Sequence, residues 1–556
     1  MAQAGKVPRS EQDLQRLKQA VAKEPGNSRL HAELGKALSR AGDFEGAKRH
    51  YRMAVAIDPT LIDAQLNLGD ILLRDCDIGG ALACFGMRQV FAPEDWLRLK
   101  MALVLPPIVE STDHIKVLRA RTEQALRVLS KDDLRIENPS LDGGRLFYLA
   151  YYGFNDRSHY EALARLYLKA NPSLGMVAPH CVHPRSREDE PRIKVAFVSA
   201  FLFDHSIGRL NRSLIANLDR DWFHVTVAIV PNITDKVTKE ITESADRAIR
   251  VTLNLEEARR ALAAEKFDVV VYPEIGMDPF TYCLAFARLA PVQCTTWGHP
   301  VTTGIPTMNY FVSGADMEPE DADEHYSETL IRLDTLTTQY RKPELSERPK
   351  ARSAFGLDEE AHYYLVAQYL FKTHPDFDLI LGEILRRDPE GRVLLIHGAR
   401  RAWSQILMAR FKWAMPEEAE RIQFIDQQSE KDFLALIAAV DVSLDIPQFN
   451  GGNTTIEALT VGTPVVTMPT ALARGRLCSA ICKHIGVTDC IAETPDDYVD
   501  LAIRLATKPS FRKKIVEKIL KNNDRLFENE KAISEWERFF LEACENKGLL
   551  VSAVQS

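Results

Sequence analysis

The stretch DIPQFNGGNTTIEALTVGTPVVTMP, Asp445 to Pro469, combines a short apolar strand, a glycine-bearing loop, a run of hydroxyl residues opening a helix, and a second strand. Those residue types in that order suit a bound diphosphate. Asn450, Gly451 and Gly452 let the backbone approach a ligand, and Asn453, Thr454 and Thr455 put side-chain donors and unpaired N–H groups at the positive end of a helix. Glu457, inside the first turn, could accept hydrogen bonds from the two hydroxyls of a ribose. Taken alone, the segment also fits an ordinary strand-to-helix turn capped by Asn or Thr. Two further residues fall where a strand is expected to end. His205 follows the run RIKVAFVSA, in SAFLFDHSIGRL, and Lys372 lies in AQYLFKTHP. An imidazole or an ammonium at a strand's carboxyl end faces the crevice where ligands of open α/β sheets bind. The plainer alternatives are a loop histidine bonded to Asp204 or backbone, and a solvated lysine.

These residues need sheets to hold them. RIKVAFVSA, FHVTVAIV and FDVVVYPE are β-rich runs, the last following a helical segment from Asn254 to Glu265. A second set, YYLVAQYL, RVLLIHGA, RIQFID, VDVSLDIP and TPVVTMP, begins after the proline- and charge-rich stretch Arg341 to Arg352. Strands alternating with helices predict two doubly wound parallel sheets, with a nucleotide-sized ligand between their carboxyl ends. The long helical stretch Lys508 to Asn546 is free to return toward the first sheet.

Ahead of them, residues 28–61 and 62–95 superimpose at the 34-residue period of a tetratricopeptide repeat. Leu34-Gly35, Ala47, Tyr51 and Pro59 answer to Leu68-Gly69, Ala81, Phe85 and Pro93, while Arg88 takes the slot of Ala54. The small residues are read as letting paired helices approach, and the aromatic as filling the gap to the next repeat. The helix from Glu11 to Lys23 looks like half of a preceding repeat. The fold class is therefore α/β with an all-α N-terminal region. Its parts are repeats over 1–100, a helical linker over 101–188, a first Rossmann-like domain over 189–345, and a nucleotide-binding one over 346–556 with a C-terminal helix.

At 556 residues the chain must divide into several cores, and 46% hydrophobic with 27% charged residues is a globular balance. A net charge of −8, with no uninterrupted basic tract, argues against nucleic-acid binding. The nine cysteines are odd in number and without a CxxC pair, which points to a reducing compartment rather than a disulfide framework. Cys478 and Cys482 are read as core. The opening MAQAGKVPRSEQDL has no apolar leader and no run is apolar enough to span a bilayer, so the expectation is a cytoplasmic protein without membrane contact. Asp219-Arg220-Asp221 and Asp321-Ala322-Asp323 have the spacing of a metal-holding pair but sit away from strand ends. No metal or resident cofactor is expected.

The repeats ahead of two Rossmann-like domains, with APVQCTTWGHPVTTGIPTMNYF at 290–311, HYSETLIRL at 325–333 and NGGNTTIEALTVGTPVVTMP, resemble the O-GlcNAc transferase and SPINDLY-like family of glycosyltransferases. The resemblance covers nearly the whole chain. It implies a GT-B fold and an inverting, metal-independent transfer of a sugar from a nucleotide donor, by default UDP-GlcNAc, to Ser or Thr of a protein that the repeats present. It places His205 in the active site and Lys372 on the donor diphosphate, with Glu457 on the ribose and Gly451 through Thr455 on the phosphates. Gln428 falls where the base edge is read; in the loop Trp297 to Gly304, His299 either bears on donor choice or packs the loop, and Thr302 and Thr303 are either sugar or acceptor contacts or plain turn formers. The chain departs from the animal members at Gly452, the first place of their His-Thr-Thr run, and at His299, where they have tyrosine. Gln368 falls one residue out of register and is set aside. Other readings are a protein N-glucosyltransferase, a flagellin glycosyltransferase with another donor, or a repeat-based interaction protein whose transferase half is inactive.

Overall fold

The computed structural model describes residues 9–142, 144–183, 190–398, 400–527 and 529–549. The expected domain boundary at 188/189 and the first eight residues, read above for a leader, lie outside them. The chain divides into two compact units, residues 1–108 with 142–145 and residues 109–141 with 146–556.

The first unit is helical. Ser28–Arg40 pairs with Phe44–Ile57 and Ile62–Arg74 with Ile78–Phe91, preceded by Arg9–Lys23 and followed by Asp95–Ala102. Asp43 and Asp77, in equivalent places, cap the second helix of each pair by accepting from Gly46 N and Gly80 N. Leu34, Ala47, Tyr51, Leu68, Ala81 and Phe85 form its core. The aromatic of each repeat packs within that repeat. Each ring lies on the glycine of its own repeat: a Cβ on Gly35 would sit 3.0 Å from the Tyr51 ring, and one on Gly69 would press closer still on Phe85. Without a side chain there, two helices of one pair come within ring thickness. Arg88, in an alanine slot, is buried by an ion pair with Glu94 and by Trp96, whose ring centre is 4.8 Å from its guanidinium carbon.

The second unit holds both sheets. The first comprises β1 Ile193–Ser199, β2 Phe223–Ile229, β3 Arg247–Arg250, β4 Val269–Tyr272, β5 Val292–Thr296, β6 Tyr310–Gly314 and β7 Thr329–Leu333, in the order β3-β2-β1-β4-β5-β6-β7. The second comprises β8 His362–Val366, β9 Gly391–Ile396, β10 Ile422–Ile425, β11 Val442–Leu444 and β12 Val465–Val466, in the order β10-β9-β8-β11-β12. Every pairing is parallel. Strand order reverses between β1 and β4 and between β8 and β11, and a crevice opens at such a switch point because the two connections leave in opposite directions. β3, β5, β6 and β7 were not foreseen as strands. In β5 polar residues obscured the pattern: Gln293, Thr295 and Thr296 are buried and bonded to backbone of neighbouring segments.

Two further expectations are corrected. β8 ends at Val366, so Lys372 lies not at the end of the strand but in a 3-10 turn, Leu370–Lys372, that begins after extended Tyr369. The terminal helical stretch is broken into Pro509–Asn522 and Glu530–Asn546. Its second helix does return to the first sheet, where Ile533, Trp536, Phe539 and Phe540 join the core of β1, β2 and β4. Among the described residues no helix is long and apolar enough to cross a membrane.

Candidate active site

The loop between β11 and the helix Asn453–Thr460 is built on a carboxylate that sequence reasoning overlooked. Asp445, directly after β11, accepts from Gly451 N and from Gln368 Nε2 through Oδ1, and from the Thr467 hydroxyl through Oδ2, each at 2.8 Å. The Tyr498 hydroxyl donates to its carbonyl at 2.9 Å. Burial pushes the Asp445 pKa up to about 7, against the pull of these donors and of Lys372. Asn450 adds bonds to Ile446 O and from Cys478 N. With the loop so pinned, the N–H groups of Gly452, Asn453 and Thr454 have no protein acceptor among the described residues, and all three residues line the crevice. Gly451 is required here, because a Cβ would strike the Thr454 hydroxyl.

That crevice is a cavity of about 440 Å³. It is shared by His205 and Arg209 from the first sheet's side and by Lys372, Gln428, Gly451 to Thr454 and Glu457 from the second's. The Lys372 ammonium lies 4.3 Å from the centre of the Phe449 ring. Burial lowers its pKa to about 8, opposed by Asp445. His205 caps the helix Ser206–Asn217, its Nδ1 accepting from Ile207 N at 3.2 Å. Burial, then Arg209, lowers its pKa, so the ring is neutral with its proton on Nε2. Gly208 lies inside this helix's first turn, and a Cβ there would collide with Phe203 O. Glu457 is nearly buried and 3.3 Å from Arg209. Gln428 reaches the cavity wall with its amide folded onto Asp426 O at 2.7 Å.

Residues 345–535 match the family model described as Glycosyl transferase family 41. A probable UDP-N-acetylglucosamine–peptide N-acetylglucosaminyltransferase, SEC of Arabidopsis thaliana, is 24% identical over 336 residues, 58% of this chain and 34% of that one. The similarly described SPINDLY of Petunia hybrida is 24% identical over 335 residues, 58% of this chain and 35% of that one. The chain is homologous to the O-GlcNAc transferase and SPINDLY-like glycosyltransferases. It aligns with only about a third of the length of these curated relatives. A solved mutant of the Thermobaculum terrenum O-GlcNAc transferase superimposes with a TM-score of 0.71 at 21% identity, over 97% of this chain and 95% of that one. The fold is accordingly GT-B, with TPR-like helices before it in sequence.

The structure turns the polar groups of the loop Trp297 to Gly304 inward. The Thr302 hydroxyl donates to Glu328 Oε2 at 2.6 Å, and Thr303 donates its N–H, at 2.8 Å, and its hydroxyl to Glu328 Oε1. Trp297 Nε1 is bonded to the Thr337 hydroxyl. His299 is buried and stacked on Phe147, ring centres 5.4 Å apart, and burial lowers its pKa to about 3. His299, Thr302 and Thr303, expected at the ligand, are therefore not among the cavity-lining residues. Thr455 is likewise turned away, its hydroxyl donating to Gly451 O at 2.7 Å. Gln368, set aside on alignment grounds, does line the cavity. Arg209 was missed although it follows His205 by four residues and so shares its helix face. Neither aspartate pair lines the cavity: Asp219 accepts from Asp221 N at 2.8 Å, and Asp323 pairs with Arg332 at 2.6 Å.

Proposed function

We propose that the chain transfers a sugar from a nucleotide-sugar donor, bound in the cavity between its two sheets, to a side-chain hydroxyl of a protein. The reaction is read as inverting and metal-independent. The observation carrying this is one cavity wall that presents three unpaired backbone N–H groups and a lysine beside a nearly buried carboxylate. The donor diphosphate fits the N–H groups of Gly452, Asn453 and Thr454, and Lys372 offsets the negative charge that grows on the phosphate as the glycosidic bond breaks. Glu457 takes the ribose hydroxyls. His205, on the opposite wall with its proton on Nε2, serves as a hydrogen-bond donor to the sugar or phosphate rather than as the group that deprotonates the acceptor. The names of the curated relatives carry UDP-N-acetylglucosamine and a peptide, which supports that donor and acceptor here.

The deciding experiment is intact-mass analysis of candidate acceptors incubated with the chain and a panel of nucleotide sugars. A mass gain of one N-acetylhexosamine, lost when acceptor serines and threonines are replaced, is expected. No gain and no donor hydrolysis with any member of the panel would overturn the reading. The helical repeats are assigned to acceptor recruitment. Removal of residues 1–95 should then abolish modification of a folded acceptor and spare donor hydrolysis, with circular dichroism showing the rest still folded.

A further inference from the structure

Arg209 meets three carboxylates from three different elements. Its Nε lies 2.8 Å from Asp204 Oδ1 in the loop before its own helix. Its Nη1 lies 3.2 Å from Glu430 Oε1, at the start of the helix Glu430–Ala439, and 3.3 Å from Glu457 Oε1 on the helix Asn453–Thr460. The Tyr340 phenol faces the same guanidinium. The partners differ in what they need. The Asp204 and Glu430 side chains are 47% and 52% exposed, so water solvates them. The Glu457 side chain is 8% exposed, and Arg209 is the cation beside it. Glu457 Oε2 has no protein partner among the described residues, and the side chain lines the cavity one helical turn from the open N–H groups.

We propose that Arg209, reaching across from the first sheet, is the positioning residue that presents Glu457 to the ribose of the donor as a carboxylate. This rests on the assignment of Glu457 to the ribose. A carboxylate can accept from both hydroxyls of a cis-diol, whereas the neutral acid carries its own proton and must donate it. Burial raises the Glu457 pKa, Arg209 opposes the rise and Glu430 adds to it, and the balance leaves it at about 7. Because Arg209 and Glu457 belong to different sheets, the ribose subsite is complete only while the two sheets hold this spacing. Arg209 thereby contributes to nucleotide binding through Glu457, without itself touching the nucleotide.

The test is calorimetric titration of UDP, with GDP as a second probe, into the full chain and its Arg209→Met, Arg209→Lys and Glu457→Gln variants between pH 6.5 and 8.5. Lys372 and the nucleotide phosphate titrate in that window in every variant, so the quantity read is the ratio of each Kd to wild type at the same pH. For a shift of one pH unit in Glu457, Arg209→Met should weaken binding roughly eightfold at pH 6.5 and approach parity by pH 8.5. Arg209→Lys, which keeps the charge, should stay near wild type throughout. A ratio for Arg209→Met that is the same at every pH would make Arg209 a plain structural or phosphate contact and overturn the proposal. Wild-type binding by Glu457→Gln at all pH values would instead remove the ribose assignment, and failure of wild type to bind either nucleotide would remove the donor site itself.

Discussion

Two loops, each rich in glycine and threonine and each following a buried parallel strand, end with opposite roles. In the loop after β11 the backbone N–H groups of Gly452, Asn453 and Thr454 are left open to the cavity. In the loop after β5 the donors of Thr302 and Thr303 are taken up by the carboxylate of Glu328. Composition does not separate them. What does is where a buried carboxylate stands. Asp445 sits beneath its loop and takes one of its backbone N–H groups, Gly451's, and the next three stay unpaired toward the cavity, whereas Glu328 sits against its loop and takes the Thr302 hydroxyl and both the N–H and the hydroxyl of Thr303. A buried polar group must find a partner, and the residue supplying it decides whether a loop is a ligand site or a piece of scaffold.

The comparison is broken most severely by Lys372→Ala, which removes a cation from the open loop's side of the cavity. We expect a loss of about 3 to 4 kcal/mol of transition-state stabilisation, roughly several hundred-fold in rate, with an unchanged circular dichroism spectrum. Wild-type turnover in the purified variant would end the assignment. Glu328→Ala is the counterpart in the closed loop. It strands three buried donors, so we expect about 3 kcal/mol of lost stability, seen as a lowered apparent melting temperature, with little change in the donor KM of the protein that remains folded. A larger effect on KM than on melting would mean that this loop touches the donor after all.

Acidity sharpens the same contrast. Glu457 must be charged to accept, and its pKa is raised to about 7. Lys372 must be protonated, and its pKa is lowered to about 8. The kcat/KM for donor hydrolysis should therefore peak between pH 7 and 8. It should fall up to about tenfold per unit below as Glu457 takes a proton, and above as Lys372 loses one. A flat profile from pH 6 to 9 would show that neither group is used. The smallest effect separates neighbours on one helix. Thr454→Ala should weaken UDP about fivefold without altering melting, and Thr455→Ala should do the reverse, since only the second hydroxyl is engaged within the loop, on Gly451 O.

The sequence by itself determined the architecture, because periodicity and burial are local signals. The 34-residue repeat, the apolar runs that became β1, β2, β4 and the whole second sheet, and the glycine loop before Asn453 were all legible. So was the coming together of His205, Lys372, Gly451 to Thr454 and Glu457, since strand ends and helix starts in doubly wound sheets face one crevice. β3, β5, β6 and β7 were not: β5 lies between two strands and accommodates Gln293, Thr295 and Thr296, which break its apolar signature, and β3 is a four-residue edge strand, RAIR, with no apolar run. Only the tertiary structure decided that Asp445 anchors the open loop, that Glu328 closes the other, and that Arg209 crosses from one sheet to the carboxylate of the other. In each case the reason is the same. A buried donor or charge is settled by whichever partner the fold brings within 3 Å or so, and those partners lie 6, 26 and 248 residues away in sequence.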